Sequence, residues 1–374
     1  MSARTLFVVV LALLATAGPF DLKPALHSSL EPGAEASHHG GAERAEGTRR
    51  AESVQPAARP TPTPAAADAP DDEVERVDVD LASVLLTAVD RERRFVTTLR
   101  REDVRLFEDG VEQQVTVFQR ETDLPVSLAV LVDTSASQEA VMEDEKAAAR
   151  AFIDSVLRPE RDAAAVLSFT GVVRLEQPVT RARARIGAAI DRLKVLYSSD
   201  SPECDDENEN IPEEQILRCK TAVWDALWLT VEEVLSKTPE RTRRAVILLS
   251  DGDDTVSRRE REEAADFAVK NNAVIYAVGI RDEAFPHGKL QRGDLRKVAE
   301  RTGGRAFFPT NRAELDAAFA QINQELRSQY LLAYTPANRR RDGRFRRVRV
   351  EIVNPALRKE RLQLLYREGY YAKK

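Results

Sequence analysis

Catalytic chemistry of the common nucleophilic kinds has little to draw on in this chain. Its 374 residues contain 2 cysteines and 4 histidines, and His287 alone falls in the portion patterned as a folded domain. Catalytic cysteine chemistry is therefore poorly supported. Aromatic residues make up only 6%, which gives no sign of base-stacking platforms. The net charge of -6 argues against nucleic acid, or an anionic membrane surface, as the main partner. No lysine-bearing phosphate loop is present. The longest amino-terminal apolar run, Thr5 to Ala17, falls short of the about 20 residues that a bilayer-spanning helix needs.

What the amino terminus does carry is a targeting pattern. Met1 to Arg4 is short and positive, Thr5 to Ala17 is apolar, and Ala15-Thr16-Ala17 fits a small-residue cleavage site. Residues 1–17 are expected to direct export to the periplasm or beyond, with an uncleaved anchor as the alternative. No cysteine lies at the processing site, which argues against a lipid anchor there. Residues 18–73 are rich in Ala, Pro, Glu and Gly, with Thr-Pro-Thr-Pro at 61–64. So few large apolar residues cannot offset the entropy of ordering, and a disordered tether is expected. His38-His39 belongs to that tether and reads as solvated rather than metal-binding.

The folded portion is organised around Val126 to Ser137, VSLAVLVDTSAS. Leu128 to Val132 reads as a strand buried on both faces, and it ends in Asp133 followed by Ser135 and Ser137. Glu139 to Val156 then patterns as a helix, with Val141, Ala148, Phe152 and Val156 along one stripe. One hard anion and two neutral hydroxyls on a single turn suit a hard divalent cation such as magnesium. From 124 to 327, strand and helix alternate with short connections, which implies a doubly wound, mostly parallel α/β sheet. Segments 74–120 and 329–374 have β character instead. Asp109-Gly110 marks a hairpin, and Asp342-Gly343 a turn. Neither segment offers enough strands to stand alone. The two are expected to pair into a small immunoglobulin-like β-sandwich of about seven strands, in which the α/β domain sits as an insertion. Arg344, Arg346, Arg347 and Arg349 alternate with Phe345, Val348 and Val350 and read as a solvated strand face.

Asp133-x-Ser135-x-Ser137, Thr221 at the opening of a later helix, and Ser250-Asp251-Gly252 closing an apolar strand together resemble the metal-ion-dependent adhesion site of von Willebrand factor type A domains. The flanks RREDVRLFEDGVEQQVTVF and LRSQYLLAYTPANRRRDGRFRRVRVEI, with a final GYY, resemble secreted von Willebrand factor A-related proteins first grouped from Acidobacteria. The resemblance covers about residues 74 to 372. It implies a cation, Mg2+ or else Mn2+ or Ca2+, held by Asp133, Ser135, Ser137, Thr221 and Asp251. Two carboxylates neutralise such an ion, while hydroxyl ligands add no charge. A carboxylate of a protein partner could then complete its coordination. The alternative for Ser135 and Ser137 is that they cap the following helix.

Two departures from that pattern stand out. Ala136 occupies a position where glycine is frequent. Ser198 to Lys220 forms an acidic insertion with Asp205, Asp206, Glu207, Glu209, Glu213 and Glu214, which reads either as a solvated loop or as a second, calcium-type site. Cys204 and Cys219 bracket it. In an exported protein such a lone pair is expected to form a disulfide, contributing around 3 kcal/mol by restricting the unfolded chain. The function expected is non-enzymatic, metal-dependent protein binding. A magnesium-dependent hydrolase using Asp133 as nucleophile, or a structural envelope scaffold, remain as alternatives. Ser135 stands where an Asp-x-Asp pattern would favour phosphoryl transfer.

Overall fold

Alternation of apolar residues, read strand by strand, sets the layers of this protein. The computed structural model describes residues 81–92, 94–121, 124–195, 204, 212–239, 242–280 and 289–374. The expected signal peptide and tether, the acidic residues 205–211 and His287 lie outside the described residues. The chain begins with β1 (Ala82–Val89), β2 (Val104–Glu108), β3 (Val111–Gln113) and β4 (Val115–Glu121). There follow β5 (Val126–Asp133), α1 (Met142–Val156), β6 (Ala163–Phe169), β7 (Val173–Thr180), α2 (Arg183–Arg192), α3 (Glu213–Cys219) and α4 (Val223–Leu229). Next come β8 (Arg243–Leu249), α5 (Arg261–Lys270), β9 (Ala273–Val278), α6 (Arg292–Arg301), β10 (Ala306–Phe307) and α7 (Arg312–Arg327). The tail holds β11 (Gln329–Tyr334), β12 (Phe345–Ile352), α8 (Pro355–Glu360), β13 (Gln363–Leu365) and β14 (Gly369–Tyr371).

The central sheet has six strands in the order β10-β9-β8-β5-β6-β7. All pairs are parallel except β6 with β7. Every residue of β5 is buried, as a central strand covered by helices on both faces requires. Its side chains divide by parity. Leu128, Val130 and Val132 pack with Phe152, Ile186 and Phe319 of α1, α2 and α7. Ala129 and Leu131 pack with Leu227, Ala265 and Leu295 of α4, α5 and α6. Because β6 lies on one side of β5 and β8 on the other, the loops leaving β5 and β8 diverge. That opens a crevice at the carboxyl edge, where such sheets bind ligands.

Two four-stranded sheets flank this unit, ordered β13-β1-β11-β4 and β14-β12-β2-β3. Each is woven from both ends of the chain. β1 lies between β11 and β13, and β12 lies between β2 and β14. They share one core, in which Val84, Leu86 and Leu332 of the first meet Leu106, Val348 and Val350 of the second. The hydroxyls of Tyr334 and Tyr370 both donate to Glu108 Oε2 across that core, each at 2.8 Å. At the β2–β3 turn Asp109 and Gly110 have φ of 48° and 86°, the left-handed pair that an Asp-Gly hairpin turn needs.

Four expectations are corrected in detail. The sandwich has eight described strands rather than about seven, because the Gly-Tyr-Tyr tail forms β14. β11 and β12 fall in different sheets, so Asp342-Gly343 lies on a crossover between them. Arg346 is not on the solvated face. It is buried, and its guanidinium donates to Asp342 at 2.9 Å. The helix after Asp133 starts at Met142, behind a short 3-10 turn at Ala136–Gln138.

The sandwich joins the amino edge of the parallel sheet, opposite the crevice. There β4 feeds β5 and α7 runs into β11, and Asp162 holds the junction. Burial alone would raise its carboxyl, but bonds from Arg158, Arg327 and the Val126 N–H hold it at about 2. The Tyr371 hydroxyl of β14 donates to Asp266 of α5 at the same edge. Among the described residues no helix is long and apolar enough to cross a membrane. Since β1 has both its neighbours in the tail, removing residues 329–374 should abolish slow amide exchange at Val84 and Leu86. Retained protection there, measured by hydrogen–deuterium exchange, would contradict the interleaved pairing.

Candidate metal centre

Asp133, Ser135, Ser137 and Asp251 lie together at the carboxyl edge, where the loops after β5 and β8 separate. Asp133, the last residue of β5, is wholly buried. Its Oδ1 accepts the Ser135 backbone N–H at 3.0 Å, which turns the chain sharply. Its Oδ2 accepts the Ser250 hydroxyl at 2.7 Å. That hydroxyl in turn accepts the Gly252 N–H at 2.9 Å, with Gly252 in the left-handed region at φ 77°. Ser250 thus ties the two diverging loops, and it directs the buried Asp251 to the same edge. Asp251 Oδ1 accepts the Asp253 N–H at 3.1 Å.

The hydroxyls are poised rather than spent on capping. Ser135 and Ser137 Oγ stand 3.2 Å apart. Gln138, itself wholly buried, donates from Nε2 to Ser137 Oγ at 3.1 Å. Neither serine caps a helix through its side chain, and the residue at the cap of α1 is Val141. Thr221 precedes α4 by two residues instead of opening it. Its N–H donates to Thr255 Oγ1 at 2.8 Å, and its carbonyl accepts the Thr255 and Val256 N–H groups. Asp254 and Ser257 accept the first free N–H groups of α4, from Val223, Trp224 and Asp225. The loop after β8 therefore carries Asp251 and also fixes Thr221.

Cys204 and Cys219 are joined in a disulfide with Cα atoms 5.5 Å apart. Cys219 ends α3, two residues before Thr221. At Gly171, in the loop after β6, a Cβ would stand 1.9 Å from the Leu217 carbonyl oxygen of α3. Only glycine lets α3 lie that close to the edge strands. The crosslink thus joins Cys204 to the last residue of α3, two residues before Thr221.

Burial of Asp133, then its repulsion by Asp251, pushes its carboxyl up to about 7, against the pull of Ser135 and Ser250. A divalent cation would reverse that penalty. Among the described residues no three of His, Cys, Asp and Glu converge closely enough to hold an ion by themselves. Any shell here must draw on hydroxyls and water, as a hard cation tolerates and a soft one does not. Asp133, Ser135, Ser137 and Asp251, with Thr221 just before α4, are the residues that would have to supply it. The central unit is a doubly wound, mostly parallel α/β sheet with these residues at its carboxyl edge.

Strand order puts Asp133 and Asp251 at the carboxyl ends of the neighbouring parallel strands β5 and β8. No protein-family profile and no curated protein matches the sequence. Solved structures similar to the chain include the conserved hypothetical protein BatB from Bacteroides thetaiotaomicron, at 17% identity and a TM-score of 0.41, over 54% of this chain and 100% of that one. Proximal thread matrix protein 1 from the mussel byssus, described with a zinc-occupied MIDAS motif, is 18% identical with a TM-score of 0.45. The match covers 59% of this chain and 50% of the mussel chain. A von Willebrand factor type A protein from Catenulispora acidiphila is 14% identical, with a TM-score of 0.44, over 79% of this chain and 74% of its own.

Gln138 and Glu145 escaped the sequence pattern, and Ser250 entered it only as the residue before Asp251, without its bond to Asp133. A strand-terminal serine that bonds across to the neighbouring strand's aspartate leaves no spacing signal. Since Asp133 is raised in the fold, its contribution to stability is complete below its ordinary value near 3.8 and is lost as pH climbs through about 7. With chelator present, Asp133→Asn should therefore gain stability over the unaltered protein as pH rises across that window. Saturating magnesium should reverse the order. Parallel denaturation curves at every pH would contradict the buried pair.

Proposed function

We propose that this protein is a non-enzymatic binding module of the cell envelope, capturing an acidic side chain of a protein partner through a divalent cation. The observation that carries this reading is the pairing of two buried aspartates, Asp133 and Asp251, with the Ser135 and Ser137 hydroxyls, which cap no helix. Ser135 and Ser137 would ligate through Oγ, with Thr221 joining in some states. Asp133 and Asp251 would bind directly or through water. Magnesium takes six oxygens in octahedral geometry, and these side chains cannot all reach it without crowding. Water fills the remainder, and a partner's Asp or Glu can displace it.

The rest of the chain accords with that reading. The Cys204–Cys219 disulfide suits an oxidising compartment. Residues 1–17 would direct export, and residues 18–73 would tether residues 124–327, flanked by β segments 74–120 and 329–374, with reach across the envelope. A metal-binding site is also reported for the mussel thread matrix protein, in its zinc-occupied form.

Partner capture supplies the test. Envelope extract passed over the immobilised protein in magnesium should deliver a partner that chelator releases and added magnesium restores. Changing the partner's contacting Asp or Glu to alanine should abolish capture. Capture that survives both chelator and Asp133→Ala would overturn the proposal and leave the cation, if any, a structural part. Phosphate release from generic phosphomonoesters in magnesium would favour a hydrolase instead.

A further inference from the structure

Glu145 occupies a place where a hydrophobic residue belongs. The inward stripe of α1 runs Met142, Glu145, Ala148, Ala149, Phe152, Ile153 and Val156, all buried. Six of the seven are apolar, and they pack with the core of the central sheet. Glu145 is the exception at 1% exposure, one turn into a helix that begins just behind Ser135 and Ser137.

A buried carboxyl normally finds a donor or a cation, because leaving it without one forfeits its hydration with nothing in return. Neither oxygen of Glu145 has a hydrogen-bond partner among the described residues. Protonation would not cure this, since the new O–H would need an acceptor and finds none. Gln138 Oε1 is in the same condition, on the loop that carries the two serines. Both Glu145 oxygens and Gln138 Oε1 are thus buried acceptors without donors among the described residues. The charges that bear on Glu145 are those of Asp133 and Asp251, which after burial itself push its carboxyl well above the ordinary range. Hydroxyl and water donors on a hydrated cation would satisfy the acceptors and balance the charge together.

We propose that Glu145 is a buried outer carboxylate of the cation centre, carrying its charge when the ion is bound and tightening ion binding without ligating it. This rests on the cation centre proposed above. The outer position follows from the absence of a converging group of three acidic or imidazole side chains. With Asp133 and Asp251 ionised, a third negative charge leaves the filled centre net negative. Such a centre favours retention of the ion, and favours a divalent over a monovalent one.

Manganese titrated into the full chain by calorimetry, with Glu145→Gln beside the unaltered protein, decides the matter. Glutamine keeps the shape and removes the charge. The expected result is a manganese Kd raised about ten- to a hundredfold, the range typical of outer-shell groups. The metal-free thermal midpoint should rise at the same time, because a buried unpaired acid is gone. Glu145→Leu, which suits the apolar stripe, should show the same weakening and serves if the glutamine variant fails to fold. Manganese affinity unchanged in both variants would overturn the role of Glu145 while leaving the centre in place. No manganese binding by the unaltered protein would overturn the centre, and this proposal with it.

Discussion

Repulsion between two carboxylates buried at the end of one sheet is the constraint on which the site depends. Asp133 and Asp251 are held within the crevice by β5 and β8, neighbouring parallel strands whose residues are almost all inaccessible. Neither aspartate can retreat to solvent without breaking the ladder. The Ser250 hydroxyl bridging toward Asp133, the turn at Ser135 and the left-handed Gly252 each supply a donor or a bend that keeps the pair in place. Burial and mutual repulsion disfavour charge on this pair, and a bound cation would relieve both. Fold stability and ion binding are then two aspects of one electrostatic fact.

Distance from that pair explains the rest of the architecture. Both chain entries to the sandwich are at the amino edge, where Asp162 gathers Arg158 and Arg327. The carboxyl edge is left to loops alone. Interleaving first and last strands in each sheet closes the chain around the central unit, so its loops can vary without opening the frame. The acidic insertion exploits that freedom, and its disulfide stands next to Thr221.

Much of this was legible in the sequence because the signals were local. The apolar run Leu128 to Val132 ends in Asp133, and with Ser135, Ser137, Thr221 and Asp251 as a set it pointed to a ligand edge, which the first motif alone would have done weakly. Asp109-Gly110 announced its hairpin through the φ values only such a pair adopts easily. Helices α5 and α6 were not legible. Arg261–Lys270 and Arg292–Arg301 are crowded with charge, and their few inward residues, such as Ala264, Ala268, Leu295 and Val298, are too short a stripe to stand out. Pairings between distant segments were visible only as a need: unsatisfied strands at both ends had to meet, but which sheet each joined depends on tertiary packing. Thr221 was expected to open a helix, yet it stands two residues before α4, held by Thr255 thirty-odd residues away. Glu145 was invisible for the opposite reason, since a glutamate in the first turn of a helix reads as an ordinary favourable charge.

The central claim is that Asp133 and its neighbours hold a divalent cation. Isothermal titration of magnesium and manganese into the unaltered protein and into Asp133→Ala measures it most directly. One ion per chain should bind the former, and none should bind the latter, with circular dichroism showing the domain still folded. Equal affinity in the two proteins would contradict the account.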